Sequence, residues 1–153
     1  MKGVYRGLAF LVALGVMVQA AAIAYAVFGL AKWIDEGGTL DKGVFESGAS
    51  VGGETGFMMH GIGGTMVLPA IVLLFLISSF FAKIPGGIKW ALIVFGVTVV
   101  QVALGIFSHE LAGLGWLHGV NALILFGVAI SAAMRVRRSV DTSAATARTR
   151  VSV

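Results

Sequence analysis

Three histidines, His60, His109 and His118, offer the most chemistry in this 153-residue chain. His118 sits at the mouth of an apolar stretch, Trp116 to Gly127. An imidazole facing inward from the end of an apolar helix marks a functional site by default, because buried ionisable groups are costly in lipid. Neutral imidazole ligates iron, zinc or copper, and a pair of them suits the two axial positions of a haem iron. The chain has no cysteine. Disulfides, thiolate metal sites, covalent haem attachment and iron–sulfur clusters are therefore excluded.

The elements that must position these residues follow from composition. The chain is 58% hydrophobic and 12% charged, with a mean hydropathy of +0.99, far from the roughly 25% charge of soluble domains. Four apolar runs predict an all-α, integral membrane four-helix bundle over residues 1–138, with helices at about 8–31, 57–82, 90–107 and 117–134. The run from Leu8 has a short basic lead, Lys2 and Arg6, and small residues near Ala20, as a secretory signal would. Its length of about 24 residues is enough to cross roughly 30 Å of hydrocarbon, so it is read as an uncleaved first helix. Pro69 predicts a kink in the second helix. Lys83-Ile-Pro-Gly-Gly-Ile-Lys89 reads as a tight turn. Residues 32–56 form a polar, Gly-rich loop, and Trp33, Trp90 and Trp116 fall at helix ends, as interfacial anchors do. The Ser/Thr/Ala/Arg-rich tail, 139–153, lacks the apolar residues for a core and is expected to be disordered. Its arginines suit contact with anionic lipid.

Charge sets the expected orientation. Lys2, Arg6, Lys83, Lys89, Arg135, Arg137, Arg138, Arg148 and Arg150 fall on one side, against only Lys32 and Lys42 on the other. Basic residues concentrate in the cytoplasm, which predicts both termini and the 83–89 turn inside a bacterial cytoplasmic membrane. A net charge of +4 arranged in this way points to lipid and not to nucleic acid.

In that topology helices two and four run in the same direction, and all three histidines lie at the outer side. The face of His60 is expected to continue through Gly63, Gly64 and Val67, and that of His118 through Asn121, Ala122, Leu125 and Ala129. Small residues beneath each imidazole have two explanations. One is close helix–helix approach. The other is a slot for a flat macrocycle held by His60 and His118. His109 and Lys32, with Trp33, are the donors available to propionates at the outer surface. Met58 and Met59 carry thioethers but read more simply as apolar filler. Gln19, Gln101 and Asn121 are polar residues deep in their spans, and interhelical hydrogen bonding accounts for them.

The segment Gln101-Val-Ala-Leu-Gly105, then Leu117-His118 followed by Asn121-Ala122-Leu123, resembles the third and fourth helices of one half of haem A synthase. Small single-bundle bacterial membrane proteins share the pattern. Proteins of the haem A synthase family fuse two four-helix bundles, each with a His near the outer face on its second and fourth helices, and His60 and His118 match those positions. The resemblance covers helices two to four and implies a bis-His haem site. The chain departs from the family in having one bundle and no outer cysteines. Phe57 replaces the carboxylate three residues before the helix-two His, and Gly61 replaces the Arg after it. The ligand positions carry over on this resemblance, while oxidation of haem O does not.

The functional expectation is a membrane module binding haem b through His60 and His118, for electron transfer or haem handling. No independent catalysis is expected; a catalytic role would be as an oxidoreductase component. The alternative is a cofactor-free accessory subunit of a larger membrane complex, or a homo-oligomer, packing through its Gly/Ala faces. A third reading gathers His60, His109 and His118 with Glu54 or Glu110 around zinc or copper.

Overall fold

The computed structural model describes the backbone of residues 1–48 and 50–151; the side chains of 45, 46 and 137–151 lie outside the described residues. It is all-helical among those residues. The elements are α1 (Lys2–Asp35), α2 (Lys42–Ser47), α3 (Glu54–Ala82), α4 (Gly87–Phe107) and α5 (Leu114–Val151). Four of these, α1, α3, α4 and the Leu114–Val136 part of α5, are long and apolar enough to cross a membrane. This suggests a multi-pass membrane protein.

The helices outrun the apolar segments that announce them. α1 has 34 residues, about 51 Å at 1.5 Å per residue, against roughly 30 Å of hydrocarbon. Polar ends such as Lys2 and Asp35 extend the helix where water can meet its terminal backbone groups. Helical backbone in α5 continues to Val151. The expected disordered tail, 139–153, falls on residues whose side chains lie outside the described residues, as do Ser152 and Val153 altogether.

The chain divides into two compact units, Met1–Val16 with Leu68–Val153, and Met17–Val67. In the first, the start of α1, the second half of α3, α4 and α5 share one apolar core. Tyr5, Val12, Val72, Phe75, Val94 and Leu125 are its fully buried large side chains. Ala9, Ala13, Ala91, Ala129, Ala132 and Ala133 fill the spaces between them. Alanine at these contacts lets helices approach closely, and dispersion then does the work that water exclusion does in soluble proteins. The buried hydroxyls of Ser78 and Thr98 donate to the carbonyls of Phe75 and Val94 in their own helices. Neither hydroxyl is thereby left bare in an apolar medium.

One end of this unit is fastened by the α3–α4 turn. Gly86 takes a left-handed φ of 70°, which lets the chain reverse at Pro85-Gly86-Gly87. Tyr5, tilted against Phe75 with ring centroids 4.7 Å apart, donates its hydroxyl to the Gly87 carbonyl at 3.1 Å. The Arg135 guanidinium lies 4.5 Å over the Trp90 ring, a cation–π contact.

The second unit contains the end of α1, the 36–53 connection and the start of α3. Its packing relies on absent side chains. A Cβ on Gly56 would stand 2.5 Å from the Ala22 carbonyl oxygen, and one on Gly53 2.5 Å from that of Ala26. Gly53 also has φ +81°. Inside the connection, Asp41 caps α2 by accepting from the Val44 N–H at 2.9 Å. The Glu54 carboxylate accepts from the Val51 and Gly52 N–H groups, closing the loop onto α3.

α3 contains a π-helical turn at Gly63–Val67. Pro69 follows two residues later and brings no N–H, so the regular ladder cannot run through this point. The extra residue of a π turn breaks the ordinary helical spacing of side chains at this point. The face expected to run from His60 to Val67 is therefore displaced by one position. Val67 is 52% exposed, while Leu68 is 6% exposed and sits in the core.

Candidate functional site

Each unit contains one histidine held by one glutamine on the neighbouring helix. In the α4–α5 hairpin, the half-buried His118 sits near the start of α5. Its Nδ1 lies 3.1 Å from the backbone oxygen of Gln101. Gly105, one turn along α4, makes that approach feasible: a Cβ there would stand 3.1 Å from His118 Cε1. The side chain of Gln101 lies over the same ring, with Nε2 3.2 Å from Nδ1 and 3.1 Å from Nε2.

These contacts select a tautomer. A carbonyl oxygen only accepts, so Nδ1 must carry the proton that it donates to Gln101. Nε2 then holds the lone pair, in the plane of the ring, while the Gln101 amide nitrogen lies over the ring at nearly the same distance from both nitrogens. The carboxamide is oriented in turn by Asn121, one turn beyond His118. Asn121 Nδ2 donates to Gln101 Oε1 at 2.7 Å and to the Val97 carbonyl at 3.1 Å. The α5 face runs as expected through half-buried Asn121 and Ala122 to buried Leu125 and Ala129.

In the Met17–Val67 unit, His60 Nδ1 lies 3.0 Å from the backbone oxygen of Gln19. The same argument places the proton on Nδ1 and the lone pair on Nε2. The Gln19 side chain takes a different course. Its Nε2 donates to the Met59 carbonyl at 3.3 Å, and its buried Oε1 has no partner among the described residues. Gly63 supplies the space: a Cβ there would stand 2.1 Å from Gln19 Nε2, and one on Gly64 3.4 Å from Oε1. In this structure the notch at Gly63 and Gly64 receives the Gln19 carboxamide.

The two arrangements are copies in register. His60-Gly-Ile-Gly-Gly64 aligns with His118-Gly-Val-Asn-Ala122, and Val18-Gln19 with Val100-Gln101. Asn121 thus occupies the place of Gly63. This accounts for the orphaned Gln19 Oε1, because the donor that Asn121 supplies in one copy is absent in the other. The glutamines, read singly, look like isolated polar residues. The repeat was the signal that could have joined each to its histidine.

The remaining candidates lie elsewhere. His109 is exposed in the turn after α4, where its backbone N–H bonds to the Ile106 carbonyl. Lys32 is ion-paired with Glu36 at 3.0 Å, both well exposed. Trp33 packs over Gly38. Met58 and Met59 are exposed on α3. Among the described residues, no three His, Asp or Glu side chains come together as a metal-ligand set. The geometry thus gives the zinc or copper reading nothing to rest on.

No protein family model, curated protein or solved structure matches the chain. The functional reading must therefore come from these residues.

Proposed function

We propose that the chain is a multi-pass protein of a bacterial cytoplasmic membrane, termini inside, that binds haem b with His60 and His118 as axial ligands. The observation that supports this is the pair of Nδ1-to-carbonyl bonds, one in each unit. Ligating histidines commonly donate their second ring nitrogen to a carbonyl, which fixes the ring and raises the basicity of the coordinating nitrogen. Both imidazoles here are set in the tautomer that presents Nε2 as the donor, and this chemistry fits axial ligation. The likeness of Gln101–Gly105 and Leu117–Leu123 to half of haem A synthase points the same way. Haem b would supply one-electron transfer, and Gly64 and Ala122 offer little bulk beside the rings. Lys32 and His109 are the side chains that could meet propionates, Lys32 by leaving Glu36.

A second reading, a cofactor-free accessory subunit packing within a larger membrane complex, is favoured by one observation. Asn121 already donates to Gln101, and His118 already donates to the Gln101 backbone carbonyl. A reduced-minus-oxidised visible spectrum of protein purified with haem supplied separates the two. Bis-His haem b predicts a sharp α-band that is lost in both His60→Ala and His118→Ala. A flat spectrum in the parent protein rejects the haem reading, and co-purification of a defined partner would then support the second.

A further inference from the structure

In the unit formed by Met1–Val16 and Leu68–Val153, cations from four helix ends gather at the α3–α4 turn. Lys83 and Lys89 flank the turn, and both are exposed. A Cβ on Gly86, between them, would stand 3.7 Å from Arg135 Nη1, so α5 brings its guanidinium against the same turn. The bond from Tyr5 to the Gly87 carbonyl draws in the start of α1, with exposed Lys2 and Arg6. No carboxylate pairs with these cations among the described residues, and Glu110, the described acid of this unit, lies past the opposite end of α4. Two of the cations are held in particular ways. Lys83 has a left-handed φ of 51°, the one positive φ of a non-glycine among the described residues. It directly follows α3, where glycine would take that conformation without strain but would bring no charge. Arg135 is held 4.5 Å over the Trp90 ring, and its N–H groups have no acceptor among the described residues.

We propose that this turn binds the phosphate of an anionic phospholipid, with Lys83, Lys89 and Arg135 as its cations. Guanidinium and ammonium groups donate to phosphate oxygens through charge-assisted hydrogen bonds, and basic clusters where membrane helices meet the surface recognise lipid headgroups. The neighbours select a lipid over a soluble anion. Phe80 and Phe81 precede Lys83, Ile88 and Leu92 lie beside Lys89, and all four are exposed. A headgroup held by the cations therefore has apolar surface next to it for its acyl chains. Trp90, half-buried at the start of α4, stands where an interfacial aromatic belongs. The site depends on the four membrane-length helices and not on haem.

The experiment is native mass spectrometry of the full chain in neutral detergent, titrated with dioleoylphosphatidylglycerol or, separately, with dioleoylphosphatidylcholine. The parent protein should retain one phosphatidylglycerol in preference to phosphatidylcholine. Arg135→Gln and Lys83→Gly should each weaken phosphatidylglycerol retention about five-fold, the worth of one cation near a lipid phosphate, and leave phosphatidylcholine unchanged. Lys83→Gly relieves the left-handed strain, so its loss of lipid would not reflect a damaged turn. Lys42→Gln, which removes a cation from the other unit, should retain phosphatidylglycerol as the parent does. Equal retention of the two lipids by the parent overturns the proposal. So do losses in Arg135→Gln and Lys83→Gly no greater than in Lys42→Gln, which would show diffuse attraction by net charge. Inorganic phosphate at the lipid concentration should leave phosphatidylglycerol bound; displacement by it would mean a site for a soluble anion and would overturn the lipid assignment.

Discussion

Asn121 holds Gln101 from across the α4–α5 interface, its Nδ2 2.7 Å from Oε1 and 3.1 Å from the Val97 carbonyl. One side chain thereby ties two points of α4, one turn apart, to α5. Asn121→Leu keeps the volume and removes both bonds, leaving Oε1 of Gln101 without that donor. A loss of about 1–2 kcal/mol is expected, within the measured range for interhelical hydrogen bonds in membranes. Thermal unfolding in detergent should show a lower midpoint, and an unchanged one would mean that the pair carries no stability.

Gly56 meets backbone first, before the Tyr25 ring. A Cβ there would lie 2.5 Å from the Ala22 oxygen and 2.8 Å from the Ala26 nitrogen. Backbone in a helix cannot step aside, so Gly56→Val should cost about 1–3 kcal/mol as α1 and α3 are forced apart. A Cβ on Gly61 would meet nothing within 4 Å, and Gly61→Ala is the matched control. Protease cleavage within the 36–53 connection should accelerate in the first variant and not in the second.

Tyr5 separates packing from hydrogen bonding. Tyr5→Phe retains the ring against Phe75 and removes the bond to the Gly87 carbonyl, for about 1 kcal/mol. Tyr5→Ala also empties a fully buried site and should cost several times more, roughly 3–5 kcal/mol. Equal destabilisation by the two, read from unfolding midpoints, would show that the ring contributes nothing.

The absence of cysteine makes orientation directly measurable. Single cysteines at Glu110 and Lys89, both exposed, lie at opposite ends of α4. With the termini inside, Glu110→Cys should react with an impermeant maleimide in intact cells, and Lys89→Cys only after permeabilisation. The reverse pattern would invert the topology proposed from the basic residues.

Much of the fold was legible in the sequence because lipid imposes local conditions. Hydrocarbon demands a long apolar run with every backbone group paired within its own helix, so four such runs declare four helices before any contact is known. Pro69 likewise announces an irregularity from its own chemistry. The same locality made the α5 face readable from His118 to Ala129, where the helix is regular.

What the tertiary structure decided is where each polar atom finds its partner. A π turn at Gly63–Val67 shifts the core face of α3 from Val67 to Leu68, and sequence spacing at the ordinary helical period cannot register that extra residue. The Nδ1 atoms of His60 and His118 meet carbonyls 41 and 17 residues away, and the rotation of one helix against another chooses those acceptors. The sequence by itself determined the four apolar helices and which histidines and glutamines lie at them. Only helix packing placed a glutamine on each histidine, because a hydrogen bond between helices depends on the orientation of both.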